Sequence, residues 1–142
     1  MLSNLYISNF ILIDSINISF KKGLQVLSGE SGAGKSLILK AISILNGDSF
    51  NIKHIRKDSE IALIQGSFYY ENNDELKTLL LKLNIKSNIL IICRKISKDK
   101  KIINSINDIN ISLKLLKDIT SLLMDIHTQN STIQLLNANN YL

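Results

Sequence analysis

An α/β fold is what the sequence predicts, on three observations. Short runs alternating apolar and polar residues open the chain. The apolar run Leu24-Gln25-Val26-Leu27-Ser28 then leads into the glycine-rich octapeptide Gly29-Glu30-Ser31-Gly32-Ala33-Gly34-Lys35-Ser36, and a segment with a broad apolar helical face follows it. Leu5-Tyr6-Ile7-Ser8-Asn9-Phe10 and Ile16-Asn17-Ile18-Ser19-Phe20 read as two strands with one buried face, and Lys21-Lys22-Gly23 as the polar turn into the next strand. The helix from Ser36 to about residue 45 puts Leu37, Ile38, Ala41, Ile42, Ile44 and Leu45 on its buried side, and Asn46-Gly47-Asp48 ends it with a residue suited to a left-handed cap. Residues 61–70 predict a strand. Asn73-Asp74-Glu75 supplies cap and first-turn acids for a helix over 75–83, with Asn84 as its stop. Residues 89–96 are strongly β and 101–106 weakly so, and Ser112 caps a helix over 113–123. Met124-Asp125-Ile126-His127 reads as a short strand before a polar loop, and Asn137 to Asn140 as a frayed end.

The octapeptide carries the chemistry. It reads G-x-x-x-x-G-K-S between a strand and a helix, the setting in which this pattern binds nucleotide phosphates. Glycines let successive backbone N–H groups approach the phosphates, and the helix N-terminus adds partial positive charge. Lys35 is placed to reach the β- and γ-phosphates, and the Ser36 hydroxyl to ligate Mg2+. ATP and Mg2+ are therefore the expected ligands, with residues 29–36 as their binding loop.

Composition limits the alternatives. A chain of 142 residues with 45% hydrophobic residues can build one cored domain. The formal charge of +5 comes from lysines spread along the chain with one knot at Lys98-Asp99-Lys100-Lys101, the pattern of a solvated surface more than of a nucleic-acid stripe. The single cysteine, Cys93, follows the apolar run Ile89-Leu90-Ile91-Ile92, so it reads as a buried inert thiol in a reducing compartment. No apolar run approaches the roughly 18 residues that cross a bilayer, and Met1 leads straight into a strand pattern instead of a signal segment. The expectation is a soluble protein with no membrane partner.

Several stretches resemble the amino-terminal part of the ATPase head of the RecN family, bacterial DNA double-strand-break repair proteins of the structural-maintenance-of-chromosomes (SMC) class. Leu5 to Phe10 followed by Ile13-Asp14 is similar to the family's opening strand and its N-F-A-L-I-D segment. Phe20 to Leu24 resembles its F-x-x-G-L approach, and Ser28 to Ser36 its T-G-E-T-G-A-G-K-S with Ser31 in place of threonine. Ile55-Arg56 resembles the I-R after the first helix, Arg94-Lys95-Ile96 the R-R-x-I strand, Ile103-Asn104 the I-N-G-x-x-V turn, and Asp125-Ile126-His127-Thr128-Gln129 the D-I-H-G-Q-H segment. The resemblance implies an ABC-type head lobe, in which an antiparallel β-subdomain adjoins a partial RecA-like core. It also implies that Gln129 reaches the magnesium and the attacking water, making Lys35 and Gln129 the catalytic pair and Ser36 and Gln129 the metal contacts. On its residues alone Gln129 is a loop glutamine, His127 a strand residue and Arg56 a surface residue.

The resemblance implies cytoplasmic, nucleoid-associated work in recombination and the DNA-damage response. DNA would be the partner of the full assembly, with a carboxy-terminal head lobe or a second head acting in trans. In such heads the signature motif, the Walker B acids and the switch histidine follow two coiled-coil arms. None of the acids of this chain ends an apolar strand in the Walker B manner, so residues 1–142 are expected to form a single amino-terminal lobe, truncated before the coiled coil, that binds ATP and does not hydrolyse it alone. Thr128, Asn130, Asp58 and Ser105 replace residues of the family pattern, three of them glycines, which predicts loops distorted or relaxed from selection. Two other readings stand beside this one. A small stand-alone P-loop kinase would need an arginine-rich lid, for which only Arg56 and Arg94 are at hand. A non-functional remnant of a truncated gene would accommodate the lost glycines.

Overall fold

The computed structural model describes residues 1–22 and 33–124. Strands β1 (Leu2–Phe10) and β2 (Ile13–Ser19) come first, then α1 (Ala33–Leu45), a 3-10 turn at Ile52–His54 and β3 (Ile61–Tyr69). They are followed by α2 (Asp74–Lys82), β4 (Ile89–Ser97), β5 (Ile102–Ile106), β6 (Ile109–Ile111) and α3 (Leu113–Leu123). The strands form one antiparallel sheet in the order β2-β1-β3-β4-β5-β6. This is the antiparallel subdomain expected from the sequence. The expected strand over 24–28 and the short strand after Met124 lie outside the described residues.

Period-2 alternation decides which sheet face is buried. Ala62, Ile64 and Phe68 of β3, Leu90, Ile92 and Ile96 of β4 and Leu5 and Ile7 of β1 join one core with Ala41, Ile44 and Leu45 of α1, Leu76 and Leu80 of α2, and Leu116 and Ile119 of α3. All three helices therefore pack on the same face. Gly66 sits in this layer for reasons of space. A Cβ there would lie 2.5 Å from Leu45 Cδ2 and 2.9 Å from Phe68 Cε2, so the small residue lets α1 approach β3.

The helix ends follow their local chemistry. α1 stops in a Schellman motif at Gly47 (φ +112°), where Asp48 N–H donates to Ser43 C=O (3.1 Å) and Gly47 N–H to Ile44 C=O (3.0 Å). α2 begins at Asn73, whose Oδ1 accepts from Leu76 N–H (2.9 Å), and ends in the same motif at Asn84 (φ +58°). α3 begins at Ser112, whose Oγ accepts from Leu115 N–H (3.1 Å). The sequence reading placed these caps correctly.

Two places differ from it. Asn104 and Ser105 lie within β5, where they pair with Arg94 and Cys93, so no turn forms there. The turn falls at Asn107-Asp108, both at positive φ (45° and 66°), in a two-residue hairpin joining Ile106 to Ile109 of the unexpected β6. Ile106-Asn107-Asp108-Ile109-Asn110-Ile111 thus carries the I-N-x-x-x-V-like spacing, and Asp108, not Ser105, takes the glycine position. Asp58 likewise holds φ +67° in the turn where Ser59 N–H donates to Arg56 C=O (3.0 Å). Both turns are formed, because aspartate tolerates the left-handed region better than most residues.

Candidate functional site

The described part of the phosphate loop is the first turn of α1. Gly34, Lys35 and Ser36 are exposed there, and a Cβ added to Gly34 would meet nothing within 4 Å. No acidic residue occupies this turn. First-turn backbone donors without intrahelical acceptors, an exposed ammonium and an exposed hydroxyl at the positive end of a 13-residue helix fit a phosphate chain with its metal. Glycines 29 and 32, with Glu30 and Ser31 between them, lie outside the described residues, as do His127, Thr128, Gln129 and Asn130. Among the described residues no group of three or more His, Cys, Asp or Glu could hold a metal.

The two candidate segments leave the described fold from one place. A cleft of about 310 Å³ is lined by Lys22, the last described residue before the loop, and by Leu122 and Leu123, next to the last described residue Met124, together with Met1, Tyr69 and Glu71. Met124 is already extended (φ −150°, ψ 144°) beyond the end of α3.

At its other end α1 is tied down by a residue that sequence reasoning had counted as free. Arg94 is 2% exposed. Its Nη1 donates to Ile44 C=O and to Asp48 C=O (2.7 Å), its Nε donates to Asn104 Oδ1 (2.8 Å), and its guanidinium lies 5.6 Å from the centroid of the Phe50 ring. Burial lowers its pKa to about 10, against the opposing field of Asp48, and it stays protonated at neutral pH. Arg94 is therefore unavailable to a kinase lid. Alternation would have revealed this, since position 94 shares the core-facing parity of 90, 92 and 96. From the opposite side Thr120 Oγ1 lies 3.2 Å from Asn46 C=O, and the Lys117 stem covers Gly47.

Arg56 is half-buried at the edge of the sheet. Its N–H donates to Asn9 C=O (2.8 Å), and Ile11 N–H donates to His54 C=O (2.8 Å), which pins the segment after α1 against the β1–β2 turn. His54 stacks on Phe10 (5.7 Å between ring centroids), and its Nδ1 accepts from Asn51 N–H (3.1 Å). Burial, with a smaller contribution from Lys40, holds its pKa below the usual histidine value.

Comparison with known proteins relates the chain to one group of them. No family model matches the chain. The DNA repair protein RecN of Bacillus subtilis is 33% identical over 144 residues, spanning 100% of this chain and 25% of that protein. RecN of Synechocystis is 37% identical over 141 residues, 96% of this chain and 24% of that protein. The chain is homologous to the amino-terminal part of RecN. It spans about a quarter of the length of these RecN relatives. The fold agrees with this. A chain from work on ATP-driven dimerization and DNA-stimulated activation of SMC ATPases superposes with TM-score 0.71 at 19% identity, covering 95% of this chain and 90% of that one. The SMC head domain from Thermotoga maritima gives 0.64 at 19% identity over 82% of this chain and 41% of its own. The RecN-like lobe thus has the fold of the amino-terminal lobe of an SMC-type, ABC-class ATPase head.

Proposed function

We propose that this chain is the ATP-binding lobe of a RecN-like head acting in DNA double-strand-break repair and recombination in the bacterial cytoplasm, at the nucleoid. The observation that carries the proposal is G-x-x-x-x-G-K-S running into α1 with Lys35 and Ser36 exposed on its first turn. Residues 29–34 would wrap the phosphates with backbone N–H groups, Lys35 would pair with the β- and γ-phosphates, and Ser36 and Gln129 would hold the magnesium. Gln129 would also orient the attacking water. Lys22, which precedes the loop in sequence, and Leu123, which precedes the segment holding Gln129, line one cleft, and this supports the pairing.

Binding and hydrolysis separate in this account. Bound Mg2+ would neutralise charge on the β- and γ-oxygens. In-line attack also needs a base and a group opposite the γ-phosphate. We assign those to a carboxy-terminal lobe and a second head in trans, with DNA as partner of the full assembly, and residues 1–142 to a single lobe that precedes the coiled coil. Mixing the chain with the carboxy-terminal lobe of a RecN head should produce magnesium-dependent ATP hydrolysis. A mixture no more active than one carrying Lys35→Ala would count against the assignment. With Arg94 buried, no observation favours a stand-alone kinase.

A further inference from the structure

We propose that Arg94 and Thr120 are positioning residues of the phosphate-binding site, clamping the far end of α1 from two sides and so fixing where its first turn points. The inference rests on the ATP-binding reading above. α1 is a rigid rod about 20 Å long, so its two ends cannot move independently. Its N-terminal turn is exposed at Gly34, Lys35 and Ser36, and among the described residues the side-chain restraints on the helix lie at its other end.

The C-terminal end has two restraints. Arg94, projecting from the centre of the sheet, reaches both Ile44 C=O in the last turn and Asp48 C=O just beyond it, while Asn104 of the neighbouring strand holds Nε and fixes the plane of the guanidinium. A buried cation with no carboxylate in ion-pair contact among the described residues is costly where an apolar side chain of similar length would fill the space. What the cation provides is direction. One planar donor group spans two carbonyls on either side of the Schellman turn. On the other side α3 covers that turn, with Thr120 Oγ1 within hydrogen-bonding distance of Asn46 C=O (3.2 Å) and of Leu116 C=O (2.9 Å).

The test uses the whole 142-residue chain with Arg94→Lys, which keeps the charge and loses the planar fork, and with Thr120→Val, which keeps the shape and loses the hydroxyl. Two readouts are taken at a temperature where circular dichroism shows each protein fully folded. They are the affinity for magnesium-ATP by calorimetry and hydrogen exchange of the Lys35–Leu39 amides without nucleotide. Arg94→Lys should bind about tenfold more weakly and Thr120→Val about threefold, as expected for misplacement and not for unfolding, with faster exchange in the first turn of α1. Wild-type affinity in folded Arg94→Lys would overturn the role of Arg94, and in folded Thr120→Val that of Thr120. If the wild type binds no better than Lys35→Ala, the ATP-binding reading fails by itself. Exchange then decides the clamp, faster rates upholding it and unchanged rates refuting it.

Discussion

Replacing Gly66 by alanine tests whether the approach of α1 to the sheet is as tight as described. The new Cβ would stand 2.5 Å from Leu45 Cδ2, 2.9 Å from Phe68 Cε2 and 3.3 Å from Leu2 Cδ1. Carbon atoms pack comfortably at about 3.5–4.0 Å, so the first contact is too short by roughly 1 Å. Leu45 and Phe68 are fully buried, so their movement must displace other core side chains. Overpacking of this kind costs about 1–3 kcal/mol. Gly66 has no positive φ, so alanine also brings an entropic gain of about 0.5–1 kcal/mol in a strand. The net loss is about 1–2 kcal/mol, a fall in Tm of roughly 3–7 °C for a domain of this size. Leu45→Ala alone should cost about 2–5 kcal/mol by leaving a cavity. Combined with Gly66→Ala it should cost at least about 1 kcal/mol less than the sum, since the added methyl enters that cavity and no longer clashes. Thermal and urea unfolding of the four proteins measures the cycle. A Tm for Gly66→Ala at or above wild type, or strictly additive effects, would refute the packing argument.

Other perturbations probe separate parts of the fold. Asn73→Ala removes the acceptor for Leu76 N–H and should destabilise the chain by about 1 kcal/mol in urea melts, while Asn73→Ser should restore most of it. His54 accepts from Asn51 N–H as a neutral ring, and its pKa lies below 6.5 chiefly through burial. The unfolded chain therefore binds the more protons between the folded value and 6.5. Stability is fully present above that range and is lost as pH falls through the folded pKa. His54→Gln should remove this component, so an identical acid slope for the two proteins in urea melts from pH 7 to pH 5 would contradict it. Cys93 is 7% exposed and burial raises its pKa. Its alkylation by iodoacetamide at pH 7.5 should be far slower in the folded chain than in urea, and equal rates would show that the thiol is open.

Much of the fold was legible because its local signals are strong and agree with one another. The caps at Asn73 and Ser112, the stops at Gly47 and Asn84 and the alternation of β3 and β4 each placed an element nearly to the residue, while β1 begins at Leu2, three residues before the run read from the sequence. What escaped was set by tertiary geometry or by weak turn chemistry. Ile11 turns the β1–β2 hairpin at φ +53°, a conformation β-branched residues avoid, so nothing in its own identity announces the turn. Strand β6 is only three residues long, yet the pair Asn107-Asp108 before Ile109 was a usable hairpin signal, overlooked in favour of the turn placed at Ile103-Asn104. The phosphate-loop motif is written in eight consecutive residues, so reading it needs no tertiary information. The restraint on its helix was not legible, because Arg94 meets Ile44 and Asp48 across about fifty positions of sequence and only the register of the sheet brings them together.

The central claim is that this lobe binds nucleotide through the loop ending at Lys35 and Ser36. Calorimetric titration of the folded 142-residue chain with ATP, in the presence and absence of magnesium and beside Lys35→Ala, tests it most directly. The account predicts saturable, magnesium-dependent binding at one site per chain, lost in the variant while its unfolding transition is unchanged. A folded wild-type chain that binds no ATP, or binds it equally well as Lys35→Ala, would contradict it.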